Sequence, residues 1–97
     1  MITTKQRAYL RGLANKENAI FQIGKGGICD NLIKQIDDAL TARELIKMRV
    51  LETCPESSRT AADTIAQRVG ADVVQVIGKK IVLYKPDKDN PQIKLPQ

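Results

Sequence analysis

The chain has 97 residues, enough for one hydrophobic core and too few for two. Sixteen Lys and Arg against eleven Asp and Glu leave a net charge of +5, which favours a polyanionic partner, while the complete lack of His removes the side chain best suited to proton transfer near neutral pH. No run is apolar enough to span a membrane and Met1-Ile2-Thr3-Thr4-Lys5 has no apolar signal core, so no membrane partner and a cytoplasmic location are expected.

Thr3 or Thr4 is placed to cap a first helix running to about Asn15, with Tyr9, Leu10, Leu13 and Ala14 as its buried stripe and Lys5, Arg7 and Arg11 on the remaining surface. Ala19–Ile23 predicts a strand. After Gly24-Lys25-Gly26-Gly27, the spacing of Ile28, Leu32, Ile33, Ile36 and Leu40 predicts a long amphipathic helix. Glu44–Glu52 alternates, with Ile46, Met48 and Val50 on one side and Leu45, Lys47, Arg49 and Leu51 on the other, which suits a strand. Ser57-Ser58 suits the cap of a third helix that buries Ala61, Ala62, Ile65, Ala66 and Val69 and stops at Gly70.

Asp72–Ile77 and Lys80–Lys85 flank Gly78-Lys79 and predict a tight hairpin. Regular alternation sets Val74 and Val76 opposite Val73 and Ile77, then Val82 and Tyr84 opposite Ile81 and Leu83, so both strands should be covered on two faces. Right-handed crossovers put the second and third helices on one face and leave the first to cover the other. The expected organisation is one domain over residues 1–86 and a flexible or loosely docked tail over 87–97, rich in proline and charge.

The glycine run combines backbone freedom, a helix start and one lysine, features that suit an anion; a tight strand-to-helix turn accounts for the same residues. A Walker loop is excluded because Gly26 follows Lys25 where Ser or Thr is needed, and a Rossmann loop because Cys29 stands at the third glycine position. What remains is a G-x-x-G loop of the kind that clamps a sugar–phosphate backbone. Residues 1–34 hold Lys5, Arg7, Arg11, Lys16, Lys25 and Lys34 against Glu17 and Asp30, a net +4 of the chain's +5, so the excess collects around the loop.

Tyr9, Phe21 and Tyr84 are the only aromatics and all sit in apolar patterns, which argues for recognition by backbone charge and shape rather than base stacking. Cys29 and Cys54 are too far apart for a metal knuckle or redox pair, and no carboxylate pair suggests acid–base work. No enzyme activity, metal or cofactor is expected.

Thr4-Lys5-Gln6-Arg7 with Leu10-Arg11-Gly12-Leu13-Ala14, then Ile23-Gly24-Lys25-Gly26-Gly27, Glu44-Leu45-Ile46-Lys47, and Gly70-Ala71 through Val74-Gln75-Val76-Ile77-Gly78 to Val82-Leu83-Tyr84 resemble the signatures of the CRM (chloroplast RNA splicing and ribosome maturation) domain family and its stand-alone bacterial YhbY-like members. The resemblance implies an α/β fold of order α-β-α-β-α-β-β, with a four-stranded mixed sheet and three helices, similar to the C-terminal domain of translation initiation factor three. It further implies RNA binding by Gly24, Lys25, Gly26 and Gly27 with Lys5, Arg7 and Arg11, and ribosomal RNA or precursors of the large subunit as partner. Family members often carry Thr or Ser where this chain has Cys29, which hands the capping of the second helix to Asp30. A monomer is the default expectation, and docking on a ribosomal or other protein without RNA contact is the alternative.

Overall fold

The computed structural model describes residues 2–87, 89 and 91–96. Helix α1 spans Thr4–Ala14, strand β1 Phe21–Ile23, α2 Asp30–Arg43, β2 Leu45–Val50, α3 Ser58–Val69, β3 Asp72–Ile77 and β4 Lys80–Tyr84. The strands form one sheet in the order β1-β2-β4-β3, with β1 parallel to β2 and the other pairs antiparallel. This is the α/β arrangement of three helices and a four-stranded mixed sheet that the resemblance implies.

Local chemistry sets the element ends. Thr3 accepts at Oγ1 from the Gln6 N–H (3.1 Å) while its own N–H donates to Gln6 Oε1 (3.0 Å), a reciprocal box that starts α1. Ser57 Oγ accepts from the Thr60 N–H at 3.1 Å and starts α3, which ends at Gly70 in the left-handed region (φ 71°). Strand β1 is shorter than expected: Ala19 and Ile20 stay outside it, although the Ile20 N–H still reaches the Lys47 carbonyl at 2.9 Å.

Helices α2 and α3 share one face of the sheet. Ile33, Ile36 and Leu40 of α2 and Ala61, Ala62, Ile65, Ala66 and Val69 of α3 pack there on Ile23, Ile46, Met48, Val50, Ile81 and Leu83. The opposite face has a smaller core, in which Ile2 and Leu10 and Ala14 of α1 meet Leu45, Val74, Val82 and Tyr84. Tyr9 departs from expectation: it is 44% exposed, because the buried stripe of α1 narrows to Leu10 and Ala14, with Leu13 partly covered.

The hairpin alternation also needs correction. A bulge between Val73 and Gln75 shifts the register, so Val73 and Val76 both side with Leu83 and Ile81 on the α2–α3 face, and Val74 turns toward α1. Ile77, opposite Lys80, is left 60% exposed.

Glu44 ends α2 with φ 65°, a positive value that no other described non-glycine residue adopts, and its side chain is fully buried. Its carboxylate accepts three backbone N–H groups: Asp87 on Oε2 at 2.8 Å, then Gln92 and Ile93 on Oε1 at 2.7 and 2.8 Å. The segment beyond Pro86 also accepts the Gln6 Nε2–H at the Pro96 carbonyl (3.1 Å) and sets Ile93 and Leu95 against the α1-side core. Together these contacts offset the strain of the left-handed backbone at Glu44 and the cost of burying its charge. They also tie the tail, read from sequence as flexible or loosely docked, to the α1 side.

Candidate nucleic-acid interface

Gly24–Gly27 leaves the carboxyl end of β1 at one edge of the sheet. The Gly27 N–H donates to the Gly24 carbonyl at 2.9 Å, closing a four-residue turn. Gly27 sits at φ 63°, a left-handed backbone that favours glycine, and a Cβ there would also press on Pro55 Cγ at 3.3 Å, a tight contact that needs a small shift of the ring. Gly26 differs: a Cβ there would meet nothing within 4 Å. Among the described residues, the N–H groups of Lys25 and Gly26 have no partner within the chain. These two donors, rather than the committed Gly27 N–H, are open to an anion, and Lys25 itself is exposed in the same turn.

The α2 start that follows is less polar than a Ser or Thr cap would make it. Cys29 occupies the N-cap position with no side-chain hydrogen bond. Asp30 does not take over that role: it is the first helical residue, and its Oδ1 accepts from Arg68 Nη2 at 2.9 Å. That pair is exposed and worth little in stability, but it directs the carboxylate toward α3.

The helical cations lie elsewhere. Arg7 and Arg11, one turn apart on α1, line a groove with Arg59 and Val73–Ile77 at the β3 edge, the far side of the sheet from the glycine turn. Arg59 is paired with Asp63 at 3.3 Å. Lys5 is exposed on α1. The seven residues expected to act together thus divide into a glycine cluster at one edge and a helical cluster that reaches the other.

Between the two edges stands a charge group that sequence reading missed. Arg49 on β2 lies directly opposite Lys80 on β4, and Gln22 and Ile77 extend the row to β1 and β3. Alternation places Arg49 with Leu45 and Lys80 with Val82, on the α1 face. All four side chains of the row are exposed, and a shallow groove runs along Arg49, Ile77, Gly78, Lys79 and Lys80. Among the described residues, no salt bridge engages Lys25, Arg49, Lys79 or Lys80. The available signal in the sequence was the alternation that sets Arg49 on the same side of β2 as Lys47; its neighbour Lys80 could be found only from the register.

Residues 2–85 match the family model described as the CRS1 / YhbY (CRM) domain. The chain belongs to the CRM domain family. It is 50% identical over 96 residues to the Bacillus subtilis protein named "Probable RNA-binding protein YqeI", an alignment that covers 99% of this chain and 100% of the relative. A Haemophilus influenzae relative named "RNA-binding protein" is 33% identical, with 99% of this chain and 96% of the relative covered. The solution structure of SAV1595 from Staphylococcus aureus has the same fold, with a TM-score of 0.83 and 50% identity over 99% of this chain and 100% of that one.

No group of three or more Cys, Asp or Glu able to hold a metal occurs among the described residues, and Cys29 and Cys54 are both free thiols. No described helix is long and apolar enough to cross a membrane. Burial raises the Tyr84 phenol above its usual range, with the charges of Glu44 and then Asp72 adding to the effect; this is a property of the α1-side core, away from the glycine turn.

Proposed function

We propose that this protein binds RNA as a non-catalytic, cytoplasmic monomer, with ribosomal RNA of the maturing large subunit as its target. The observation that carries the reading is the open glycine turn, where the Lys25 and Gly26 N–H groups and the Lys25 ammonium are all available and no Cβ at Gly26 blocks approach. Gly24 and Gly27 shape the turn, and Lys5, Arg7 and Arg11 contact backbone farther along. The names of the relatives and the net charge of +5 support the same reading. Phosphate contacts set position rather than sequence, so selectivity comes from RNA shape or from neighbouring proteins.

Crosslinking in cells, followed by mapping of the bound RNA, tests the target. Recovery of large-subunit precursor RNA is the expected result, and recovery of protein contacts alone would support docking without RNA. With about four phosphates neutralised, log affinity should fall against log salt with a slope near −3 for single strands. An affinity indifferent to salt, or unchanged by Lys25→Glu with Arg11→Glu in a folded protein, contradicts the mechanism.

A further inference from the structure

The α1 face of the sheet is covered only in part. Helix α1 and the tail pack over Leu45, Val74, Val82 and Tyr84, and the cover stops before the row Gln22–Arg49–Lys80–Ile77 at the end of the sheet that carries the glycine turn. We propose that Arg49, Lys79 and Lys80 carry the RNA backbone across this open end, joining the glycine turn at the β1 edge to Arg7 and Arg11 at the β3 edge. The proposal rests on the RNA-binding reading above and adds a path and three contact residues to it.

Continuity is the first argument. Four strands are three spacings wide, about 14 Å, a gap that neither cluster closes alone. Ile77 borders both the Arg49–Lys79–Lys80 groove and the Arg7–Arg11 groove, so the two run together around the β3 end. Among the described residues, no carboxylate lines either groove.

The second argument is energetic. Arg49 and Lys80 are direct cross-strand partners on one face, an arrangement in which like charges repel, and no salt bridge relieves it among the described residues. A polyanion lying over the pair removes the repulsion and gains both charges. The surface is shallow and open and the row holds no aromatic side chain on which bases would stack, so it meets the RNA through the charged backbone. Exposed Ile77 gives a ribose or base an apolar contact at the end of the row.

The test uses the full chain and mixed-sequence single-stranded RNA, with affinity measured over a salt series and thermal midpoints taken on each variant. Replacing both cations (Arg49→Gln with Lys80→Gln) should weaken binding about tenfold at moderate salt and flatten the log–log slope by about 1.4. The thermal midpoint should hold or rise, because a repulsive pair has gone; a merely structural role for these residues would lower it. If Lys25→Gln weakens binding while the double variant stays within about twofold with its slope unchanged, the RNA takes another route and the inference fails, although the RNA-binding reading stands. If the unmodified chain binds this RNA with no dependence on salt, the reading itself fails and the inference falls with it.

Discussion

The two faces of the sheet solve the same burial problem to different extents. On one face, α2 and α3 together cover Ile23, Ile46, Met48, Val50, Ile81 and Leu83, and the strands there have little to offer a partner. On the other, a single helix and the tail reach only part of the way, and the uncovered row is polar and cationic apart from Ile77. A face can be given up to binding only where its outward side chains are not needed for the core. The difference between the faces therefore separates stability from recognition within one small sheet, and substitutions should sort accordingly.

The largest effect is expected in the doubly covered core. Leu83→Ala should cost about 3–5 kcal/mol by urea unfolding, and Leu10→Ala under α1 should fall nearer 2–3, because one helix over a thin core can settle into the space left behind. Equal losses would remove the asymmetry on which the comparison rests.

Glu44 comes next. Glu44→Ala strands the Asp87, Gln92 and Ile93 N–H groups and should cost about 1.5–3 kcal/mol, with faster amide exchange at Gln92 and Ile93. Unchanged exchange there would mean that the tail holds its place on the α1 side without the carboxylate.

The glycine turn should split into a structural and a binding position. Gly27→Ala forces a Cβ into the left-handed region and against Pro55, at about 1–2 kcal/mol, whereas Gly26→Ala should leave stability nearly unchanged and weaken RNA binding by crowding the open N–H groups. A stability loss at Gly26 would instead point to a structural role for both.

The smallest effect concerns pH. The Tyr84 phenol has its pKa raised in the folded chain, so it binds its proton more tightly there than in the unfolded chain. The resulting stability is complete below the unfolded value near 10 and lost as pH rises through the folded value. Thermal midpoints should fall more steeply above about pH 10 in the parent than in Tyr84→Phe; parallel curves would place the sensitivity elsewhere.

Much of this was legible because local rules and global fold agree. The stripes of α2 and α3, the Ser57 cap, the Gly70 stop and the Gly78-Lys79 turn all follow from short-range chemistry, and the structure keeps them. Tyr9 was misplaced because helical spacing says which residues share a face but not how wide a neighbour covers it. The Val73–Gln75 bulge is a cross-strand event without a local mark. The same limit hid the Arg49–Lys80 pair, whose members are 31 positions apart and meet only through register. Glu44 was read as the start of a strand; its buried role depends on a tail more than 40 residues away.

The most direct test of the division between faces is an amide chemical-shift titration of the labelled chain with mixed-sequence single-stranded RNA. Shifts should gather at Lys25 and Gly26, run through Arg49, Lys79 and Lys80, and reach Arg7 and Arg11, with the outer surfaces of α2 and α3 silent. Shifts gathered on α2 and α3, with the glycine turn and the Arg49–Lys80 row silent, would contradict the account.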